Sequence, residues 1–190
     1  EMARYSAGAH TAESIRDLVR SLEILCLGLA APAALLVWLG APWLAADWLR
    51  AEHMQASEVA HAVALMGLVA SLRIVEGLYR GAILGLQRQV WLNAVGAALA
   101  TIRWAGAVAV LAWISPTITA FFLWQGAISV ATLVVFVVEV YRAIPSAQRP
   151  SRFSRKEVKK VGRFAAGMMA TTVLALLLTQ IDKILLSRLI

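Results

Sequence analysis

The sequence predicts an all-α polytopic transmembrane helical bundle, and three observations predict it. Long stretches carry no charge: Ile24 to Ala46 has none, and Trp104 to Val138 runs thirty-five residues without one. A hydrocarbon core of roughly 30 Å takes about 20 helical residues to cross, so these stretches are long enough. The apolar share is 61%, where an ordinary soluble domain holds about 45–50%. None of the stretches shows the period-two alternation over about ten residues that marks a membrane β-strand. A helix, which satisfies its own backbone hydrogen bonds, is then the way for each to cross lipid.

Five spans follow in order: Leu22–Ala46, Val59–Leu84, Val90–Ile114, Thr117–Tyr141 and Phe164–Ile190. Before them, residues 1–21 are polar with a weak helical stripe of Ile15, Leu18, Val19 and Leu22. Thr11 is placed to cap this segment and Glu13 to meet the helix dipole, so a cytoplasmic amphipathic helix on the membrane surface is expected. Pro32 should kink the first span, and Pro42 lies near its outer end. Trp43, Trp48 and Trp113 fall at outer span ends, and Trp91, Tyr79 and Tyr141 near inner ones, where aromatic rings favour the headgroup level. Ser115-Pro116-Thr117 reads as a tight outer turn in which Thr117 caps the fourth span. Residues 142–163 form a basic linker containing Pro145 and Pro150. The first residue is Glu1 and the last span stops at Ile190 without a polar tail, so an internal piece of a longer protein is expected.

Charge placement sets the topology. The net charge is +7, but the basic residues do not form a nucleic-acid patch. The amino-terminal segment holds Arg4, Arg16 and Arg20, the turn after the second span Arg80 and Arg88, and the 142–163 linker eight more. On the other side stands Arg50, beside Asp47, Glu52 and Glu58. This asymmetry obeys the positive-inside rule and puts the amino terminus and the 142–163 linker in the cytoplasm, where anionic headgroups reinforce it. Cys26 is the single cysteine and lies in the first span, which excludes disulfides and cysteine metal clusters.

Charges also stand inside the spans. Arg73, Glu76 and Arg80 lie on one face of the second span, so Glu76 can pair with either arginine. Arg73 is about 21 Å along from Val59, and Arg103 about 16 Å from the outer end of the third span. Arg103 shares its face with Gly96, Ala100 and Ala107, small residues suited to close helix contact. The fifth span carries Gln180, Asp182, Lys183 and Arg188. A charge at the bilayer centre costs about 2.5–3.5 kcal/mol on insertion scales. Two readings remain open. Either Arg73, Arg103 and Arg80 line a watery cavity for an anionic substrate, the guanidinium fork suiting phosphate. Or Arg73–Glu76–Arg80 is a self-neutralising structural ladder, Arg80 snorkelling to headgroups and Asp182-Lys183 forming a local pair.

An enzyme is not expected. His10, His53 and His61 lack the His-Glu-x-x-His spacing of a metalloprotease helix, and the acids within the spans stand singly, without the clustered carboxylates that hold magnesium on a diphosphate. No metal or cofactor is called for.

Three motifs carry a family resemblance: Gly77-Leu78-Tyr79-Arg80-Gly81 with Gly85-Leu86-Gln87-Arg88-Gln89, then Ser115-Pro116-Thr117 with Phe122-Leu123-Trp124-Gln125, then Arg163-Phe164-Ala165-Ala166-Gly167 with Thr179-Gln180-Ile181-Asp182-Lys183. Together they carry a resemblance, over roughly residues 73–190, to the Wzx-type oligosaccharide flippases of the multidrug/oligosaccharidyl-lipid/polysaccharide exporter superfamily. The resemblance implies five spans of a larger two-lobed transporter in the bacterial inner membrane. Residues 22–141 would be four helices of the first lobe, 142–163 the linker, and 164–190 the first helix of the second. It further implies flipping of undecaprenyl-diphosphate-linked oligosaccharide repeat units for O-antigen or capsule by alternating access. Arg73, Arg80 and Arg103 would bind substrate. Glu76, Gln180, Asp182 and Lys183 would serve coupling or gating, with a proton or sodium ion as the coupling ion and polysaccharide assembly proteins as partners. The rival expectations are a cation-coupled multidrug-type exporter of the same superfamily and a non-transporting membrane scaffold.

Overall fold

The computed structural model describes residues 12–49 and 55–144, and beyond them 152–155, 158–159, 162, 165–167, 169–172 and 174–175. The described chain is built of helices, with no strand among the described residues. Helix α1 is Ala12–Trp43, followed by a π-helical stretch Leu44–Leu49; α2 is Ala56–Gly85; α3 is Gln89–Ala109, ending in a π-helical stretch Val110–Ile114; α4 is Ile118–Ala143. Four segments are long and apolar enough to cross a membrane: Glu13–Ala46, Ala56–Gly85, Gln89–Ile114 and Ile118–Ala143. The all-α transmembrane bundle predicted from hydropathy is thus observed, and the chain is a membrane protein. Of the fifth span, the residues described are helical. Its remainder, with Gln180, Asp182 and Lys183, lies outside the described residues, as does Thr11.

The first helix differs from expectation. Residues 12–21 do not form a separate surface helix; they are the opening turns of α1, and Ile15, Leu18 and Val19 are buried in the bundle. The polar residues that made this stretch look peripheral are satisfied inside, as described below. Pro32 and Pro42 both lie within the continuous α1. Each lacks an N–H and so frees the carbonyl one turn earlier.

Two turns set the helix order. Between α2 and α3, Gln87 takes φ 62°, a left-handed conformation that lets the Arg88 N–H reach back to the Ile83 carbonyl at 3.2 Å. Between α3 and α4, the Thr117 hydroxyl accepts from the Ala120 N–H at 3.2 Å, which is the cap the sequence predicts.

Packing is concentrated at one end. Ile15, Leu18 and Val19 of α1, Val75, Ala82 and Ile83 of α2, Leu92 of α3, and Phe136 and Val140 of α4 form the buried cluster. These come from the start of α1 and α3 and the close of α2 and α4, which is the end carrying the basic residues. Trp91 packs on Phe136 there, ring centroids 6.2 Å apart. Toward the opposite end the helices open into two adjoining clefts of about 520 and 470 Å³, both lined by Trp38, His61 and Ala64. Close approach elsewhere depends on glycine: Gly67 receives Val37, and Gly106 receives the indole of Trp124, with no room for a Cβ at either. Much of the remaining apolar surface is bare. Leu36, Trp104, Val108 and Trp113 are all more than half exposed, which water would penalise and a bilayer would not.

Candidate functional site

The mid-membrane charges converge between α2, α3 and α4. Arg103 sits eleven residues before Ile114, about 16 Å from that end of its helix, and is 5% exposed. It lies within the bundle because α4 offers it oxygen. Its guanidinium donates to Ser129 Oγ at 3.1 Å and to Thr132 Oγ1 at 3.4 Å. Ser129 and Thr132 lie three residues apart on α4 and so share a face. Thr132 in turn donates to the Ile128 carbonyl at 2.7 Å. The backbone of Arg103 is also held, since Trp124 Nε1 donates to its carbonyl at 2.9 Å, and Gly106 leaves the space that the indole fills. The expected small-residue contact is therefore displaced. Ala107 is buried, but Gly96 has nothing within 4 Å and Ala100 is exposed.

From α2, both Arg73 and Glu76 approach near enough to act electrostatically on Arg103. Glu76 is 9% exposed, and its Oε2 is buried without a hydrogen-bond partner. It closes no ion pair with Arg73 or Arg80 among the described residues, so the single-helix ladder is not formed. Arg73 is exposed on the bundle surface, and Arg80, nearer the end of α2, is exposed as well. The structure thus brings together Arg73, Glu76 and Arg103 at mid-height, leaves Arg80 out of that group, and places Gln125 one turn from Ser129 with its Nε2 buried and unpartnered. With all three charges ionised, the group is net positive by one.

A second polar cluster, at the basic end, was not expected. Glu23 and Glu139 stand at span ends, where a solvated charge is ordinary, yet both are buried, at 4% and 8% exposure. Glu23 Oε1 accepts from Tyr79 and Tyr141 hydroxyls, each at 2.6 Å, and its Oε2 from Arg20 at 3.1 Å. The two tyrosines therefore point into the bundle at a carboxylate and are not headgroup anchors. Glu139 pairs with Arg88, tying α4 to the start of α3. Asp17 accepts from the Arg152 backbone N–H at 2.7 Å. Ser21 donates to the Asp17 carbonyl at 2.6 Å and accepts from the Ser154 N–H at 2.8 Å. One signal was available: Glu23 continues the apolar stripe of Ile15 and Val19 at four-residue spacing, and a charge on a core-facing stripe needs internal partners.

Comparison of the chain with protein-family models, with curated proteins and with solved structures finds no match.

Proposed function

We propose that this bundle is part of a membrane transporter that moves an anionic, lipid-linked substrate, of the undecaprenyl-diphosphate oligosaccharide type, across the bacterial inner membrane. The observation that carries this reading is the group of Arg73, Glu76 and Arg103 at mid-height, net positive, with Arg73 exposed on the bundle surface. An exposed guanidinium at the level of the hydrocarbon core is costly unless it meets water, a partner or an anion. A diphosphate supplies the last with paired acceptors. The packing gradient supports the same reading: the basic end, proposed to be cytoplasmic, is closed, and the opposite end is clefted. Those are the features of a half-bundle caught on one side of an alternating-access cycle. Its partner half-bundle would begin with the fifth span.

One observation favours a second reading, a membrane scaffold. Arg103 is buried and its side chain is engaged by two hydroxyls, which is what a packing residue needs. Arg73→Ala and Arg103→Ala, made in the protein as expressed from its own gene, separate the two. Transport predicts that both variants stay at normal abundance in the membrane and lose export of the surface polysaccharide. Scaffolding predicts lower abundance for Arg103→Ala, with export falling only in proportion, and no effect of Arg73→Ala.

A further inference from the structure

At the basic end, the structure separates charges by depth. Among the described residues there, the acids Asp17, Glu23 and Glu139 are buried and engaged in internal bonds, and Glu13 is partly buried. Arg20, Arg142, Arg152, Arg155 and Lys159 are exposed. Among the described residues, the surface at this end is accordingly more cationic than its composition implies, because three of its four acids have been withdrawn into the core.

Arg152 is held in place by a backbone bond, and so is Ser154, the residue before Arg155. The Arg152 N–H donates to Asp17 Oδ1 and the Ser154 N–H to Ser21 Oγ, at 2.7 and 2.8 Å. Residues 152–155 therefore form a ledge docked on the first turns of α1. Between the two arginines Phe153 is 46% exposed, an apolar ring at the margin of helices that cross a membrane. A phosphate site for a soluble ligand has no use for that ring. A lipid has, since its acyl chains begin within a few ångströms of its phosphate.

We propose that this ledge binds the headgroup of an acidic glycerophospholipid, Arg152 and Arg155 meeting the phosphodiester and Phe153 entering the upper acyl region. This inference does not rest on the transport reading. Each basic residue near an acidic membrane surface is worth about 1 kcal/mol, a roughly fivefold change in affinity, so removing both should weaken binding roughly 25-fold.

The test is native mass spectrometry of the full chain released from detergent mixed with equal amounts of phosphatidylglycerol and phosphatidylcholine. Preferential retention of phosphatidylglycerol is expected. Arg152→Gln/Arg155→Gln should abolish the preference and Arg152→Lys/Arg155→Lys should keep most of it. Phe153→Ala should weaken retention severalfold. Folding is not at risk, since the anchoring donors are backbone N–H groups, and an unchanged melting temperature in lipid-free detergent checks this. A preference that survives the double glutamine variant overturns the proposal. So does displacement of the lipid by millimolar inorganic phosphate, which would make this a free-phosphate site.

Discussion

Replacing Glu23 with alanine should destabilise the bundle by about 3 kcal/mol, and the figure follows from what the carboxylate touches. Two tyrosine hydroxyls donate to it at 2.6 Å from α2 and α4, and the glutamate is 4% exposed. Truncation leaves both hydroxyls without their acceptor, at about 1–3 kcal/mol each. Interhelical hydrogen bonds in membrane proteins average about 0.6 and reach about 1.7 kcal/mol in double-mutant cycles. That keeps the sum toward the low end of the range. The Arg20 contact adds little, since its side chain is 52% exposed and exposed ion pairs are worth about 0–1 kcal/mol. Glu23→Gln retains one acceptor oxygen and should cost about half as much. The diagnostic variant is Glu23→Met with Tyr79→Phe and Tyr141→Phe. Removing donors and acceptor together is nearly neutral when shape is kept, so the triple variant should recover most of the loss. Unfolding in mixed micelles, followed by circular dichroism, reads all three. A Glu23→Ala variant within 0.5 kcal/mol of the parent, or a triple variant worse than Glu23→Ala, would refute the reasoning.

Other expectations follow from single contacts. Gly106→Ala places a methyl group where the Trp124 indole sits and should cost about 1–3 kcal/mol as overpacking. Gly96→Ala, with nothing within 4 Å, should be neutral or gain up to about 1 kcal/mol of helix propensity. The same unfolding assay compares the two. Thr117→Ala removes the oxygen that accepts from the Ala120 N–H and should cost about 1 kcal/mol, with Thr117→Ser close to the parent.

Hydropathy placed three helices within a few residues: Val59–Leu84 was expected and Ala56–Gly85 observed, with similar agreement for α3 and α4. It failed at the start of α1. There Arg16, Asp17, Arg20 and Ser21 look like a surface segment until their tertiary partners are known. A burial pattern along one helix cannot reveal that Asp17 and Ser21 accept backbone N–H groups from residues more than 130 positions later. The same limit applies at mid-height. Periodicity put Arg103 toward the bundle or toward water, and the structure buries it in the bundle. Periodicity could not say that Ser129, Thr132 and Trp124 would be the residues to meet it. Spacing allowed Glu76 to pair along its own helix; that pair is not formed, and the carboxyl lies close enough to Arg103 on the next helix to act on it electrostatically. Tyr79 and Tyr141 misled for a related reason: an aromatic residue near a span end satisfies the headgroup rule whether it faces lipid or the core.

The most direct test of the proposed function is deletion of the gene encoding this protein, followed by assay of surface polysaccharide and of undecaprenyl-linked repeat units on each membrane face. The account predicts loss of surface polymer, with the lipid-linked units accumulating on the cytoplasmic face. Unchanged polymer with no accumulating intermediate would contradict it.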